Sequence, residues 1–154
     1  MTIVHLSGEE RRQIREVLRE YQQQAEVQSM RKFIQHGRTT TYEHCMNVVR
    51  FSYWLNRKFH LKANERALLI GALLHDFYLY DWHEKSTWHR LHGFSHPFRA
   101  SRNAKKLFRI GPVEENIIES HMWPLTLRHY PKCREAAIVC VADKCCSVLE
   151  TVSA

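Results

Sequence analysis

Ala67-Leu68-Leu69-Ile70-Gly71-Ala72-Leu73-Leu74-His75-Asp76 is an unbroken apolar run that stops on an imidazole and a carboxylate. Asn64 stands just ahead of it in a capping position. The run therefore predicts a helix, with Ala67, Gly71, Leu74 and His75 on one side. An aspartate directly behind so apolar a stretch is costly to bury unless it is paired or coordinated. The run demands a partner for Asp76.

Helix signals continue on both sides. Ser7 and Glu10 form a capping box that opens a first helix near Glu9, expected to reach about Phe33 with one break and to close at Gly37. Thr40 and Glu43 form a second box. The helix it opens carries His44, Val48, Phe51, Leu55 and Phe59 at three- and four-residue steps. Residues 77–94 are aromatic and irregular, and long irregular segments in compact domains are usually functional. Ser95 and Pro97 predict the start of a fourth helix that ends near Phe108 and Gly111. Pro112, with Glu114 and Glu115 in the first turn, starts a fifth, which carries Ile117, Ile118 and His121 and ends by Pro124. After Pro131 a last helix places Ala136, Val139, Cys140, Asp143 and Ser147 on one face. No segment sustains two-residue alternation, so the chain is expected to be all-α, without a sheet.

A length of 154 residues suits one domain, large enough to bury roughly 68–70% of the unfolded surface. The net charge of +7 favours anionic partners. It is dispersed, however: Arg11, Arg12, Arg15 and Arg19 are interleaved with Glu9, Glu10, Glu16 and Glu20, the pattern of a solvated helix face. With no nucleic-acid motif and no basic aromatic groove, nucleic acid is not an expected partner. No apolar run approaches the ~18 residues of a membrane helix. Five cysteines, Cys45, Cys133, Cys140, Cys145 and Cys146, make an odd set with no metal-ligand spacing. With no secretory leader ahead of them, they read as reduced core thiols of a cytoplasmic protein. A homo-oligomer is compatible with all of this.

There are 11 histidines, and several share the problem of Asp76. His44 lies on a stripe with Val48 and Phe51, His121 follows Ile117-Ile118, and Asp143 follows Ile138-Val139-Cys140-Val141-Ala142. Singly, each has a plain reading as a core histidine, a cap, an ion-pair partner or, for His96, a helix start. Together, His44, His75, Asp76, His96, His121 and Asp143 on five segments point to a shared divalent metal centre. Imidazole and carboxylate ligands suit Mn, Fe, Co, Ni or Zn, and the lack of cysteine argues against a structural zinc site.

The order His44, His75-Asp76, His96, His121, Asp143 resembles the HD superfamily of metal-dependent phosphohydrolases, over a span from Thr40 to about Glu150. His96-Pro97 and His121 resemble the subset that binds two metals, as in the HD-GYP branch. The runs H-D-F-Y-L-Y-D-W-H-E and H-R-L-H-G-F-S-H-P look like a bacterial subfamily of HD-domain hydrolases. The resemblance implies a single HD-type helical bundle over residues 1–154, with the metal site in its core. Residues 1–37 would form an N-terminal helical segment packed on the metal-binding helices of residues 40–152. One or two divalent transition-metal ions would be bound, one by His44, His75, Asp76 and Asp143. Asp76, the expected catalytic residue, would bridge to a second held by His96 and His121.

The implied reaction is hydrolysis of a small phosphate ester, a nucleotide by expectation, by metal-activated water attacking phosphorus. Arg38 before the first ligand helix, His92, and Lys144 beside Asp143 are the expected substrate contacts, and His92 is also an alternative ligand to His96. Trp82, Trp88 and Trp123 could stack on a base. Leu79 and Tyr80 stand where many HD enzymes carry Lys or Glu, and a GYP signature is absent, which leaves the branch open. The competing readings are a di-iron oxygenase with the same ligand order and a non-catalytic module that senses a ligand.

Overall fold

The computed structural model describes residues 2–81 and 92–153; Trp82, Glu84, Trp88 and His89 lie outside the described residues. In chain order come α1 (Gly8–Gln22), α2 (Ala25–Gln28), a 3₁₀ turn (Ser29–Lys32), β1 (Ile34–His36), β2 (Thr39–Thr40) and α3 (Thr41–Lys58). They are followed by α4 (Glu65–Leu74), α5 (His92–Leu107), α6 (Pro112–Ser120) and α7 (Arg134–Val152). The fold is predominantly all-α. Both capping boxes form. Ser7 Oγ accepts from the Glu10 amide at 3.1 Å while Glu10 accepts from the Ser7 amide at 2.8 Å, and Thr40 and Glu43 repeat the exchange at 3.1 Å each way. Asn64 Oδ1 accepts from the Ala67 amide at 3.1 Å and starts α4 where the sequence predicts.

α3, α4, α6 and α7 pack in a closed ring, with α1 against α4 and α5 against α6. α4 touches α1, α3, α5, α6 and α7, which is why it has no polar stripe: every residue from Ala67 to Leu74 is buried. Leu18 from α1, Val48 and Val49 from α3, Ile117 and Ile118 from α6, and Val139 from α7 join one continuous core around it. All five cysteines are free thiols. Burial pushes that of Cys146 up to about 12, in keeping with a packing role. Among the described residues no helix is long and apolar enough to cross a membrane.

Three features differ from the sequence reading. The N-terminal segment, expected to be helical to residue 37, is helical only as far as Lys32. Gln24 takes an extended backbone, and the short turns after it return Val27 and Met30, both fully buried, to the core beside α3. Gly37 does not end a helix. Its positive φ of 57° serves the turn between β1 and β2, an antiparallel ribbon that the sequence reading did not include. The ribbon is too short to show alternation. Finally, α5 is already under way at His92, so Pro97 lies inside it rather than at its start. The His92 ring stacks on that of His96 at 4.3 Å, and its carbonyl accepts from His96 Nδ1 at 2.6 Å. These contacts favour helix where local propensity alone would stop it.

Gly71 is the point of closest approach between α4 and α6. A Cβ there would stand 2.5 Å from Ile117 Cδ1 and 2.8 Å from Cγ2. Gly71→Ala, which would stabilise an exposed helix, should here cost about 1–3 kcal/mol through overpacking. Chemical denaturation of Gly71→Ala, Ile117→Ala and the double variant tests this. The double variant should be more stable than the sum of the single losses implies.

Candidate metal centre

Five helices deliver the six candidate ligands to one buried spot. His44 comes from α3, His96 from α5 and Asp143 from α7; His75 and His121 are the C-cap residues of α4 and α6, and Asp76 follows directly. The C-cap positions matter physically, because the last carbonyls of a helix lack intrahelical donors. His75 Nδ1 donates to the Ala72 carbonyl at 2.6 Å and His121 Nδ1 to that of Ile118 at 2.7 Å. His96 Nδ1 donates to the His92 carbonyl, and His44 Nδ1 to Glu150 Oε1 at 2.7 Å. A carbonyl or carboxylate only accepts, so Nδ1 carries the hydrogen in all four rings. Each Nε2 is thereby aimed inward as a candidate ligand atom.

The donor atoms form two groups that share Asp76. Its Oδ2 lies 3.4 Å from His44 Nε2 and 3.3 Å from His75 Nε2, while Asp143 Oδ1 lies 2.8 Å and 3.3 Å from the same two atoms. Its Oδ1 lies 3.1 Å from His96 Nε2 and 3.2 Å from His121 Nε2. The Nε2 atoms of His96 and His121 are only 2.9 Å apart, and those of His44 and His75 3.3 Å apart. Asp76 Oδ1 is buried without a hydrogen-bond partner. An orphaned anionic oxygen flanked by two converging imidazole lone pairs fits a divalent cation, and the nitrogen and carboxylate set suits a transition metal.

The electrostatics of the chain agree. Burial drives the His44 and His75 imidazoles down, but hydrogen bonds to Asp143, Asp76 and Glu150 for the first, and the charge of Asp76 for the second, hold both well above the ordinary range. Burial pushes Asp76 and Asp143 up, yet the surrounding imidazoles keep both carboxyls well below theirs. His121 is depressed, by burial above all.

A cavity of about 740 Å³ opens onto Asp76, His96, His121 and Asp143. Two of the three expected substrate contacts line it. Lys144 Nζ donates to the His121 carbonyl at 3.1 Å, and His92 Nδ1 lies 2.6 Å from the Tyr80 hydroxyl. His96, rather than His92, converges on Asp76. Arg38 is exposed at the turn between β1 and β2 and does not line the cavity, nor does Trp123. Met122, Pro124, Leu125 and Val148 form an apolar wall.

Three residues of the site escape sequence reading. Glu150 orients His44 and accepts from Asn47 Nδ2 at 2.9 Å. It lies two turns after Asp143 on the same face of α7, a spacing that could have found it. Gln35 donates from Nε2 to Asp76 Oδ2 at 2.9 Å, and its own Oε1 accepts from the Tyr78 hydroxyl and from Thr41 Oγ1. The register slips between Ile34 and His36, so Gln35 is the bulged residue of β1, re-aimed inward. Neither Gln35 nor Tyr78 carries a local signal.

Residues 41–147 match the HD domain family model. The chain belongs to the HD domain family. The match covers every candidate ligand and ends just short of Glu150. Comparison with curated proteins and with solved structures returned no match. HD domains are mostly metal-dependent hydrolases, and some are non-catalytic.

Two outcomes follow from this HD centre. Glu150→Gln, which removes the charge behind His44, should weaken divalent-metal binding by on the order of 10–100-fold without unfolding the chain, measured by competition with a chromophoric chelator. The second concerns pH. His44 and His75, held above about 6.5 in the fold, stabilise it when protonated, and that contribution is lost as pH rises through their raised values. His121, depressed by burial, acts in the opposite sense only below about 6.5. The melting temperature of chelator-treated protein should therefore fall from pH 6.5 to pH 9. Metal affinity should rise over the same window, because protons and metal compete for Nε2.

Proposed function

We propose that this HD domain is a dinuclear metal-dependent phosphohydrolase that acts on a small phosphate ester, with a nucleotide as the leading substrate class. The observation that carries the reading is the division of Asp76 between two donor groups, one oxygen toward His44 and His75 and the other toward His96 and His121. One divalent ion would be held by His44, His75, Asp76 and Asp143, and a second by Asp76, His96 and His121. Bound ions would supply Lewis acidity to phosphoryl oxygens and lower the pKa of water toward neutrality.

The chain's own residues supply the rest. Gln35 and the imidazoles hold the Asp76 carboxylate in place. Lys144 brings an ammonium to the cavity wall beside His121, suited to an oxyanion of the substrate. Met122, Leu125 and Val148 offer an apolar surface for the organic part of the ester, and about 740 Å³ is the size of a small-molecule site.

The test is phosphate release from a panel of nucleotides and simple phosphomonoesters and diesters, with Mn²⁺, Co²⁺ or Fe²⁺ added to chelator-treated protein. Turnover should require metal and persist without oxygen. Asp76→Asn should lower it by more than the ~10–100-fold expected from loss of an outer partner such as Glu150. Undiminished turnover in Asp76→Asn would overturn the mechanism. Oxygen uptake by the iron-loaded protein, without phosphate release, would assign it instead to the oxygenases that share this ligand order. Metal binding with neither activity would favour a sensing module.

A further inference from the structure

A second cavity, of about 460 Å³, lies between the N-terminal segment, α1 and α3, and none of its lining residues belongs to the metal-ligating set. Arg11 and Arg15, one turn apart on α1, and Arg50 on α3 line it. No acidic side chain does, among the described residues. Arg12, by contrast, does not line this cavity and meets Glu9 and Glu16 at 2.5 Å each. The helix therefore sorts its charges. Glu9 and Glu16 pair with Arg12, whereas the exposed Arg11, Arg15 and Arg50 pair with no carboxylate among the described residues. Burial pushes the Arg50 guanidinium down; Tyr42 opposes the effect and the charge of Arg11 adds to it.

The remaining walls are of two kinds. Ile3, Val4 and Met46 present apolar surface, and Gln22 and Asn47 present amides. An adjoining cavity of about 380 Å³ shares Gln22, Met46, Asn47 and Arg50, and adds Glu43 and Arg31, the latter stacked 4.0 Å over the Tyr42 ring. Guanidinium forks match phosphate oxygens in pairs, and three unpaired positive charges suit two or more phosphate groups better than one. The apolar surface beside them suits an organic group. A concave pocket of this volume suits a small molecule rather than a nucleic-acid strand, which would need an open track.

We propose that the cavity bounded by Arg11, Arg15 and Arg50 is a binding site, separate from the metal centre, for a small organic molecule bearing a diphosphate or triphosphate. Its test needs no metal and no activity. Full-length protein in excess chelator is dialysed to equilibrium against labelled inorganic pyrophosphate and, separately, labelled adenosine triphosphate, as wild type, Arg15→Ala/Arg50→Ala and Lys144→Ala. One molecule should bind per chain, with adenosine triphosphate the tighter. The arginine pair should weaken both by about tenfold or more, while Lys144→Ala leaves both unchanged. A circular dichroism melt confirms that the arginine variant is folded, and an Arg15→Lys/Arg50→Lys variant should recover part of the binding. No binding by wild type at millimolar ligand, equal binding by the arginine variant, or a loss seen only in Lys144→Ala would each overturn the site. Equal affinity for pyrophosphate and adenosine triphosphate would overturn the organic half of the ligand. Displacement of either ligand by a short single-stranded RNA at far lower concentration would overturn the small-molecule reading.

Discussion

Asp76 brings a negative charge to the bottom of a helical ring, where only 1% of the residue meets water. A carboxylate so placed is tolerated only if it is paired, hydrogen-bonded or coordinated. Four imidazoles converge on it, two on each oxygen, and each belongs to a different helix. The helices therefore cannot be rearranged independently of the site. α4 must end where it does to put Asp76 at the junction, and α3, α5 and α6 must reach it at the height of one side chain each.

The imidazoles are themselves held from behind. Three donate Nδ1–H to backbone carbonyls, two of them at helix ends that would otherwise leave an acceptor unsatisfied, and the fourth donates to Glu150. One set of hydrogen bonds thus finishes the helices and sets the tautomers. The bulge in β1 adds Gln35, which reaches Asp76 from a strand too short to be stable without its contacts to α3 and α7. The same strand brings His36 to the cavity wall, its ring edge-on to that of His44 at 5.3 Å.

Charge is distributed with comparable economy. The candidate metal centre gathers carboxylates and imidazoles on the inner side of α3, while Arg11, Arg15 and Arg50 line a different cavity. Asn47 lies between them, lining the arginine cavity and donating to Glu150. Arg11, Arg12, Arg15 and Arg19 are all exposed, as a solvated helix face requires, and two of them, Arg11 and Arg15, also line a concavity. Residues adjacent in sequence point about 100° apart around a helix, so Arg12 meets Glu9 and Glu16 while Arg11 turns toward the concavity.

Much of the architecture was legible in local chemistry. Capping boxes at Ser7 and Thr40, the Asn64 cap and Pro112 are short-range devices, and each marks a helix start in the fold. The apolar run to Asp76 announced a surrounded helix and a buried charge, and His44, His121 and Asp143 beside apolar residues announced the company it would keep. What the sequence determined by itself was therefore the helices and the chemical need of Asp76, since both follow from neighbours within a few residues. Only the tertiary structure decided that α5 begins before Pro97, that residues 34–40 form a ribbon, and that Gln35, Tyr78 and Glu150 complete the centre. Those outcomes depend on contacts across 41 residues for Gln35 with Asp76, and 106 for His44 with Glu150. No periodicity records such pairings, because they are settled by packing whole helices against one another.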